Sequence, residues 1–201
     1  MRVFKHRYRV ESTRLRGWDY SSSGWYFITI CARAHACFLG EVIEGGMRLS
    51  EIGRVAHDNW AQIPAHFTEV VLDEFVVMPN HIHGILAVDR ADSAGKRRAT
   101  GVPKVETRDL VSLGQPTGSA NRFGPLQPGS LQTILQAFKS SVTRWCRKNE
   151  HTSFSWQAGF YDHIIRNEES LGKIREYIIN NPLKWELDRY NPANWAAGRN
   201  S

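Results

Sequence analysis

The sequence has few cysteines and no long apolar run, and both absences exclude whole classes of protein. Its 201 residues contain three cysteines, with no C-x-x-C pair and no even-numbered set. A disulfide scaffold and a zinc ribbon are therefore not expected. No apolar run approaches the length of a membrane span, and the first residues lack the apolar stretch of a signal peptide. We expect a cytoplasmic protein with no membrane association.

The sequence also lacks a glycine-rich phosphate-binding loop, so no nucleotide cofactor such as ATP is expected. Its charge is biased toward the positive sign, because 26 Lys and Arg against 20 Asp and Glu give a net charge of +6. A basic surface favours polyanionic partners, most often nucleic acid, although ordinary solubility charge would produce the same excess. A hydrophobic fraction of 41% is sufficient for one packed domain and leaves little for a second core.

Hydrophobic periodicity predicts four strands and three helices. The strands are expected over residues 25–32, 69–78, 81–88 and 160–166, and Gly45-Gly46 marks a turn. The helices are expected to begin at Ser50, Ser130 and Asn167, each of which is a favoured N-cap residue. Pro64 closes the first helix and Asn181-Pro182 ends the third.

Basic residues cluster first in an N-terminal arm and in an insertion. Residues 1–23 form the arm, in which Arg14 and Arg16 are interspersed with aromatic residues. Such an arm suits a phosphate backbone with bases stacked on the rings, although a disordered terminus would have the same composition. Residues 89–129 are basic and rich in Gly, Ser, Thr and Pro, which indicates an insertion rather than part of a compact core.

The second predicted helix carries the third basic cluster. Its apolar stripe repeats at helical spacing from Leu131 to Trp145, and basic residues occupy its flanks and outer face. Those expected to contact DNA are Lys139, Arg144 and Arg147, together with Arg14 and Arg16 of the arm. A solvated helix face would show the same pattern, so the charge by itself does not decide the role.

Two imidazoles separated by one apolar residue lie in a strand-like run, as His81-Ile82-His83. In an extended chain, residues two apart stand about 6.5–7 Å apart on one face, so both rings can reach one metal ion. Ile82 points the other way and can be buried. The spacing predicts a metal site fixed to a sheet, with two ordinary strand histidines as the alternative.

A second pair, Tyr177 and Asn181, lies one turn apart near the end of the third helix. A tyrosine hydroxyl is a weak nucleophile at its free pKa of about 10, so it needs activation and a polarised target. A divalent metal held by His81, His83 and the side-chain oxygen of Asn181 would polarise a phosphate. Softness favours Zn²⁺ for two nitrogens and one oxygen, which leaves the metal's identity open.

Two motifs taken together resemble a known family. Val76–Gly84 resembles the His-hydrophobe-His motif of HUH single-strand DNA nucleases. The downstream runs Trp156-Gln157, Tyr161–Glu168 and Ile174–Trp185 resemble the single-tyrosine transposases, and are most similar to the REP-associated tyrosine transposases of bacteria. The resemblance covers roughly Trp18 to Trp185 apart from the basic insertion. The His-x-His motif alone would not be specific, whereas the two motifs together are.

The resemblance implies an α+β fold, a ferredoxin-like sandwich with a central antiparallel sheet and helices packed on one face. The transposase domain would cover residues 24–188, with the insertion at about 89–129, between the arm of residues 1–23 and a C-terminal tail of residues 189–201. The family acts on single-stranded or hairpin-forming DNA near repetitive extragenic elements. Its members act as monomers or homodimers, and both states stay open here.

The resemblance also implies an activity, a metal-dependent single-strand DNA endonuclease and strand transferase. Tyr177 would be the nucleophile, forming a 5′-phosphotyrosine bond and freeing a 3′-hydroxyl. His81 and His83 would be metal ligands, Asn181 the third, and the metal Mg²⁺ or Mn²⁺.

Three alternatives remain at this level. Tyr161 is a rival nucleophile, although it lies in a strand-like segment and has no amide one turn away. The protein could also be a non-catalytic DNA-binding module, as in a domesticated transposase or a repressor-like protein. The third alternative is an RNA-binding ferredoxin-like domain, which would prefer single-stranded RNA to DNA.

Overall fold

The computed structural model describes residues 23–90 and 128–197. Its main sheet has four antiparallel strands in the order β4-β5-β1-β6. Their bounds are β1 Gly24–Cys31, β4 Val70–Val77, β5 His81–Val88 and β6 Tyr161–Ile165. A separate hairpin consists of β2 Gly40–Ile43 and β3 Gly46–Leu49. Strands β5 and β1 are therefore interior, and β4 and β6 are the two edges.

Three of the helices in the described ranges begin where the sequence predicts them, directly after Ser50, Ser130 and Asn167. Two short helices are additional, and Pro64, predicted to close the first helix, lies inside one of them. The helices are α1 Glu51–Ala61, α2 Ile63–His66, α3 Leu131–Lys148, α4 Glu168–Ile179 and α5 Pro192–Ala197, with a 3₁₀ turn at Pro182–Leu187. Ser50, Ser130 and Asn167 cap α1, α3 and α4, because each side chain accepts a hydrogen bond from the backbone N–H three residues later. The caps fix the direction in which each helix leaves its preceding loop.

Alternation along the strands divides the main sheet into a core face and a site face. The core face packs against α1 and α3, and its apolar side chains include Tyr26, Ile28, Ile30, Ile82 and Leu86. The site face packs against α4, and a smaller apolar cluster there consists of Ile85, Ile165, Leu171 and Ile178. The predicted α+β fold with a central antiparallel sheet is confirmed. The prediction of helices on one face is wrong for α4, because α4 carries an apolar stripe of its own that the site face buries.

A close contact on the core face anchors β5. Gly84 lies against the fully buried Trp60, and a Cβ at this position would lie 2.4 Å from the Cζ2 atom of that indole. A larger residue would therefore have to displace the ring. The contact holds β5 directly beside the two histidines that point to the opposite face.

Several predicted features lie outside the described residues. They are the basic arm with Arg14 and Arg16, residues 91–127 of the insertion, and the last four residues of the tail. Within the two described ranges, no helix combines the length and apolar character needed to cross a membrane.

Candidate active site

His81 and His83 lie side by side on the site face of β5, with their side chains 0% and 2% exposed. In the sheet, His81 is paired with Cys31 and His83 with Thr29, both on the interior strand β1. The two Nε2 atoms are 3.1 Å apart. The predicted His pair is therefore brought together on a rigid strand that is hydrogen-bonded on both sides.

Asn80 fixes the protonation of the His81 ring. Its Nδ2 donates to the backbone carbonyls of His35 and Tyr190, at 2.8 and 2.7 Å, so its Oδ1 must face the ring. That oxygen lies 2.8 Å from His81 Nδ1. Because an amide oxygen only accepts, Nδ1 carries the proton, and the lone pair of His81 is on Nε2.

His83 is oriented from β1. Its Nδ1 lies 2.9 Å from Thr29 Oγ1, and the ring also hydrogen-bonds the backbone of Ile28. Burial lowers the pKa of both imidazoles far below the usual value, so both rings are neutral at neutral pH. Two neutral nitrogens 3.1 Å apart need a proton or a cation between them, because facing lone pairs repel.

Tyr177 and Asn181 meet the His pair from α4 and from the turn that follows it. The Tyr177 hydroxyl lies 3.2 Å from His83 Nε2, and its ring contacts Phe27 and His83. Burial raises the pKa of Tyr177, and a hydrogen bond from the Asn181 side chain partly offsets this. Tyr177 remains 43% exposed although its ring packs on Phe27 and His83. All four predicted residues thus converge on one point.

The donor set at this point fits a divalent cation. The side-chain oxygen Oδ1 of Asn181 is buried and has no hydrogen-bond partner, as expected of an atom that awaits a ligand. Two ligands at 2.0–2.1 Å from an octahedral ion lie about 3 Å apart, close to the separation of the two Nε2 atoms. No group of three or more His, Cys, Asp or Glu side chains able to hold a metal occurs in the described ranges. The Asn181 amide oxygen is the predicted third ligand, in addition to the two histidines.

Three residues that sequence reasoning missed also border the site. Asp188 is nearly buried, and its Oδ2 lies 4.0 Å from His81 Nε2. Tyr190 packs on the His81 ring with centroids 4.8 Å apart, and Arg189 donates to the Tyr190 hydroxyl. The Arg189 charge acts on Tyr177 and on His83. Two of the three lie in the segment predicted as a tail, where no motif marked them.

The predicted DNA-binding residues of α3 line a groove of about 810 Å³ between that helix and residues 155–160. Arg144 and Arg147 are exposed along it. Lys139 differs, because its Nζ donates to the backbone carbonyls of Gln157 and Gly159 at 2.6 Å each. Burial lowers the pKa of Lys139 to about 8. Lys139 thus links residues 157 and 159, on the wall of the groove opposite α3, to that helix.

The fold and the sequence both have known counterparts. An uncharacterised protein of Haemophilus influenzae is 38% identical over 183 residues, covering 89% of this chain and 91% of that protein. The structure of a REP-associated tyrosine transposase bound to a REP hairpin superposes with a TM-score of 0.50 at 16% identity, covering 92% of this chain and 74% of that one. No protein-family model matches the sequence.

The sequence comparison establishes family membership, and the structural comparison establishes the fold. Identity of 38% over most of both chains is close enough to establish common descent with the Haemophilus influenzae protein. The structural likeness confirms, for the fold, the resemblance that the two sequence motifs predict. The chain belongs to the same family as the Haemophilus influenzae protein, and its fold is that of a REP-associated tyrosine transposase.

Proposed function

We propose that this protein is a metal-dependent single-strand DNA endonuclease and strand transferase, a transposase that acts on hairpin-forming DNA. One observation carries the proposal. The hydroxyl of the half-exposed Tyr177 lies 3.2 Å from one ring of a buried imidazole pair, and Asn181 beside it has a buried amide oxygen without a partner. Such a grouping serves nucleophilic attack on a phosphate better than it serves packing. The cytoplasmic location of its DNA substrate is part of the proposal.

The reaction follows from the position of Tyr177. Its oxygen attacks the phosphorus in line, a P–O bond to tyrosine forms, and the P–O3′ bond breaks. The phenolic proton passes to water, and the departing 3′ oxygen takes up a proton from water. The product is a 5′-phosphotyrosine and a free 3′-hydroxyl. Attack by a second 3′-hydroxyl on the same phosphorus would reverse the exchange and transfer the strand.

The surrounding residues prepare each part of this step. Asn181 donates a hydrogen bond to the Tyr177 oxygen and Arg189 supplies positive charge beside it, and both lower the pKa of the phenol. His81, His83 and Asn181 would hold Mg²⁺ or Mn²⁺, which when bound would stabilise charge on the non-bridging phosphate oxygens. Thr29 and Asn80 keep the two rings aimed at that position.

The groove on α3 supports the DNA part of the proposal. Arg144 and Arg147 are exposed along a concave surface that is lined by no acidic residue of the described ranges. Guanidinium groups of this kind bind phosphate through paired N–H donors. Gln157, on the wall of the groove, hydrogen-bonds the His35 ring, which stacks on Tyr190 beside the His pair. A chain of contacts thus connects the wall of the groove to the site.

The test is covalent labelling of the protein by DNA. The unaltered protein, mixed with Mn²⁺ and fluorescent hairpins that carry single-stranded flanks, is expected to give an adduct that survives a denaturing gel. Tyr177→Phe should give none, while the matched control Tyr161→Phe should label like the unaltered protein. An adduct formed by Tyr177→Phe would mean that the nucleophile is wrongly assigned.

A non-catalytic DNA-binding protein is the second candidate, and one observation favours it. Burial raises the pKa of Tyr177, so the phenol is not activated in the described residues alone. This candidate predicts tight binding of the same hairpins with no adduct under any divalent metal. Cleavage that His81→Ala abolishes but Tyr177→Phe does not would indicate a metal hydrolase that uses water.

A further inference from the structure

The edge strand β6 carries a tyrosine that the proposed reaction leaves unused. Tyr161 is 44% exposed and is the register partner of Thr29, which in turn pairs with His83. The three side chains therefore form one row across the site face. Two strand spacings separate Tyr161 from His83, about 10 Å, so Tyr161 lies beside the site without reaching it.

Aromatic side chains flank the row formed by Tyr161, Thr29 and His83. Phe27 of β1 is half-buried and stacks on the His83 ring at 5.2 Å, and it meets the Tyr177 ring edge-on at 6.0 Å. On the other side, Tyr161 lies within electrostatic range of Tyr190, which packs on His81. Helix α4 packs against β4 and β5, and Tyr161 on β6 remains exposed. Aromatic rings thus lie on both sides of the row that leads from His83 to the exposed Tyr161 at the sheet edge.

We propose that Tyr161 stacks on an unpaired base of the DNA strand next to the scissile phosphate. This inference rests on the proposed function and names the part of its substrate that the site face would hold. An exposed ring on a sheet binds single-stranded nucleic acid by stacking, which is tolerant of sequence because every base has a π-face. A duplex stem keeps its bases stacked internally, so the occupant is the single-stranded flank. Tyr161 is thereby a positioning residue and not a second nucleophile.

The experiment is a double-mutant cycle in which one change is made in the protein and the other in the DNA. Binding of a fluorescent hairpin with single-stranded flanks is measured for the unaltered protein, Tyr161→Ala, Tyr161→Phe and Tyr161→Trp. The same four proteins are tested on hairpins with one abasic site placed in turn at each flanking position. We expect Tyr161→Ala to bind about ten-fold more weakly, and Phe and Trp to bind normally. At one flanking position, the abasic site should weaken the unaltered protein by a similar factor and leave Tyr161→Ala unchanged.

A matched control separates stacking from loss of apolar surface. Val71, on the opposite edge strand, is 43% exposed, and Val71→Ala should bind every hairpin as the unaltered protein does. Thermal melting of each variant identifies any that fails to fold, and the abasic hairpins test the unaltered protein independently of the variants.

Each other outcome overturns a specific claim. If the adduct forms but Tyr161→Ala binds normally and no abasic position matters, the stacking role is wrong and the proposed function stands. If Tyr161→Phe loses the adduct, Tyr161 is the nucleophile. If the unaltered protein binds no DNA at all, both the stacking role and the proposed function are wrong.

Discussion

Strand β5 presents two different surfaces, and the difference between them explains how the fold supports the site. On the core face, Ile82 and Leu86 are fully buried among apolar side chains of α1 and α3. On the site face, His81 and His83 are equally buried, but every nitrogen lies close to a polar group. The two faces are equally buried, but the core face buries apolar side chains and the site face buries hydrogen-bonded imidazoles.

The comparison shows how precise positions are obtained. The core face gives stability through packing and requires only the right volume and shape. The site face requires defined ring orientations and protonation: Asn80 accepts a hydrogen bond from His81 Nδ1, and the Thr29 hydroxyl orients the His83 ring. Substitutions on the core face should therefore change stability, and substitutions on the site face should change chemistry.

The largest expected effect is on the site face. His83→Ala should abolish the covalent adduct, because the ring both adjoins the Tyr177 hydroxyl and is a predicted metal ligand. Removal of metal with EDTA should give the same loss, and Mn²⁺ should restore only the unaltered protein. The exposed His66→Ala serves as the control and should label normally. A His83→Ala protein that still formed the adduct would contradict the site.

The next effect is on the core face, one residue away. Ile82→Ala removes a fully buried side chain and should lower the free energy of unfolding by roughly 2–5 kcal/mol, through lost burial and the cavity left behind. Adduct formation per folded molecule should be unchanged below the melting transition. Urea denaturation measures the first quantity and gel labelling the second. An Ile82→Ala protein with normal stability and no labelling would contradict the assignment of stability to the core face and chemistry to the site face.

A smaller effect is expected at Asn80, which contributes both to stability and to the orientation of the His81 ring. Asn80→Ala leaves two buried carbonyls without a donor and should cost about 1–3 kcal/mol of stability. It also frees the His81 ring, so Mn²⁺ affinity measured by calorimetry should fall about 10- to 100-fold. Asn59→Ala is the matched control, because Asn59 also hydrogen-bonds a backbone carbonyl and a side chain, but far from the site. The Asn59→Ala substitution should lower the free energy of unfolding and leave Mn²⁺ affinity unchanged.

The smallest effect concerns the pair that ties α4 to β4. Arg175, which precedes Tyr177 by two residues on α4, donates to both carboxylate oxygens of Asp73 on β4. Because the Arg175 side chain is 40% exposed, Arg175→Ala should cost only roughly 0.5–1 kcal/mol.

The same pair should show a defined pH dependence. The hydrogen bonds from Arg175 lower the pKa of Asp73 in the folded state, so the pair stabilises the protein above the ordinary Asp pKa of about 3.9. That contribution is lost as pH falls through the lowered value. Denaturation curves at pH 7 and in acid should show the difference between the unaltered protein and Arg175→Ala shrinking. A difference that grew in acid would contradict the assignment.

Much of this could be predicted from the sequence, for identifiable reasons. Helix starts followed from cap residues such as Ser130, and the His pair followed from the two-residue period of a strand. Convergence of Tyr177 with His83 could not follow from spacing alone, because residues 94 positions apart meet only through the packing of α4. The resemblance to a family supplied that step.

The parts that were missed depend on long-range contacts without a local pattern. Arg189 and Tyr190 look like ordinary tail residues, yet their side chains border the His pair. Lys139 follows the basic pattern of α3, but two backbone carbonyls occupy its ammonium group. The sequence predicts only the turn of the short β2–β3 hairpin, because its strands have four residues each and alternate without strong apolar character.

One amide gives the site a dependence on the whole chain. Asn80 is held by carbonyls of residues 35 and 190, so the aim of a neighbouring ring is set by segments 155 positions apart. A chain still emerging from the ribosome has no residue 190 to offer, and its imidazole is free to turn. Under the proposed function, cutting would therefore require residue 190 to be in place.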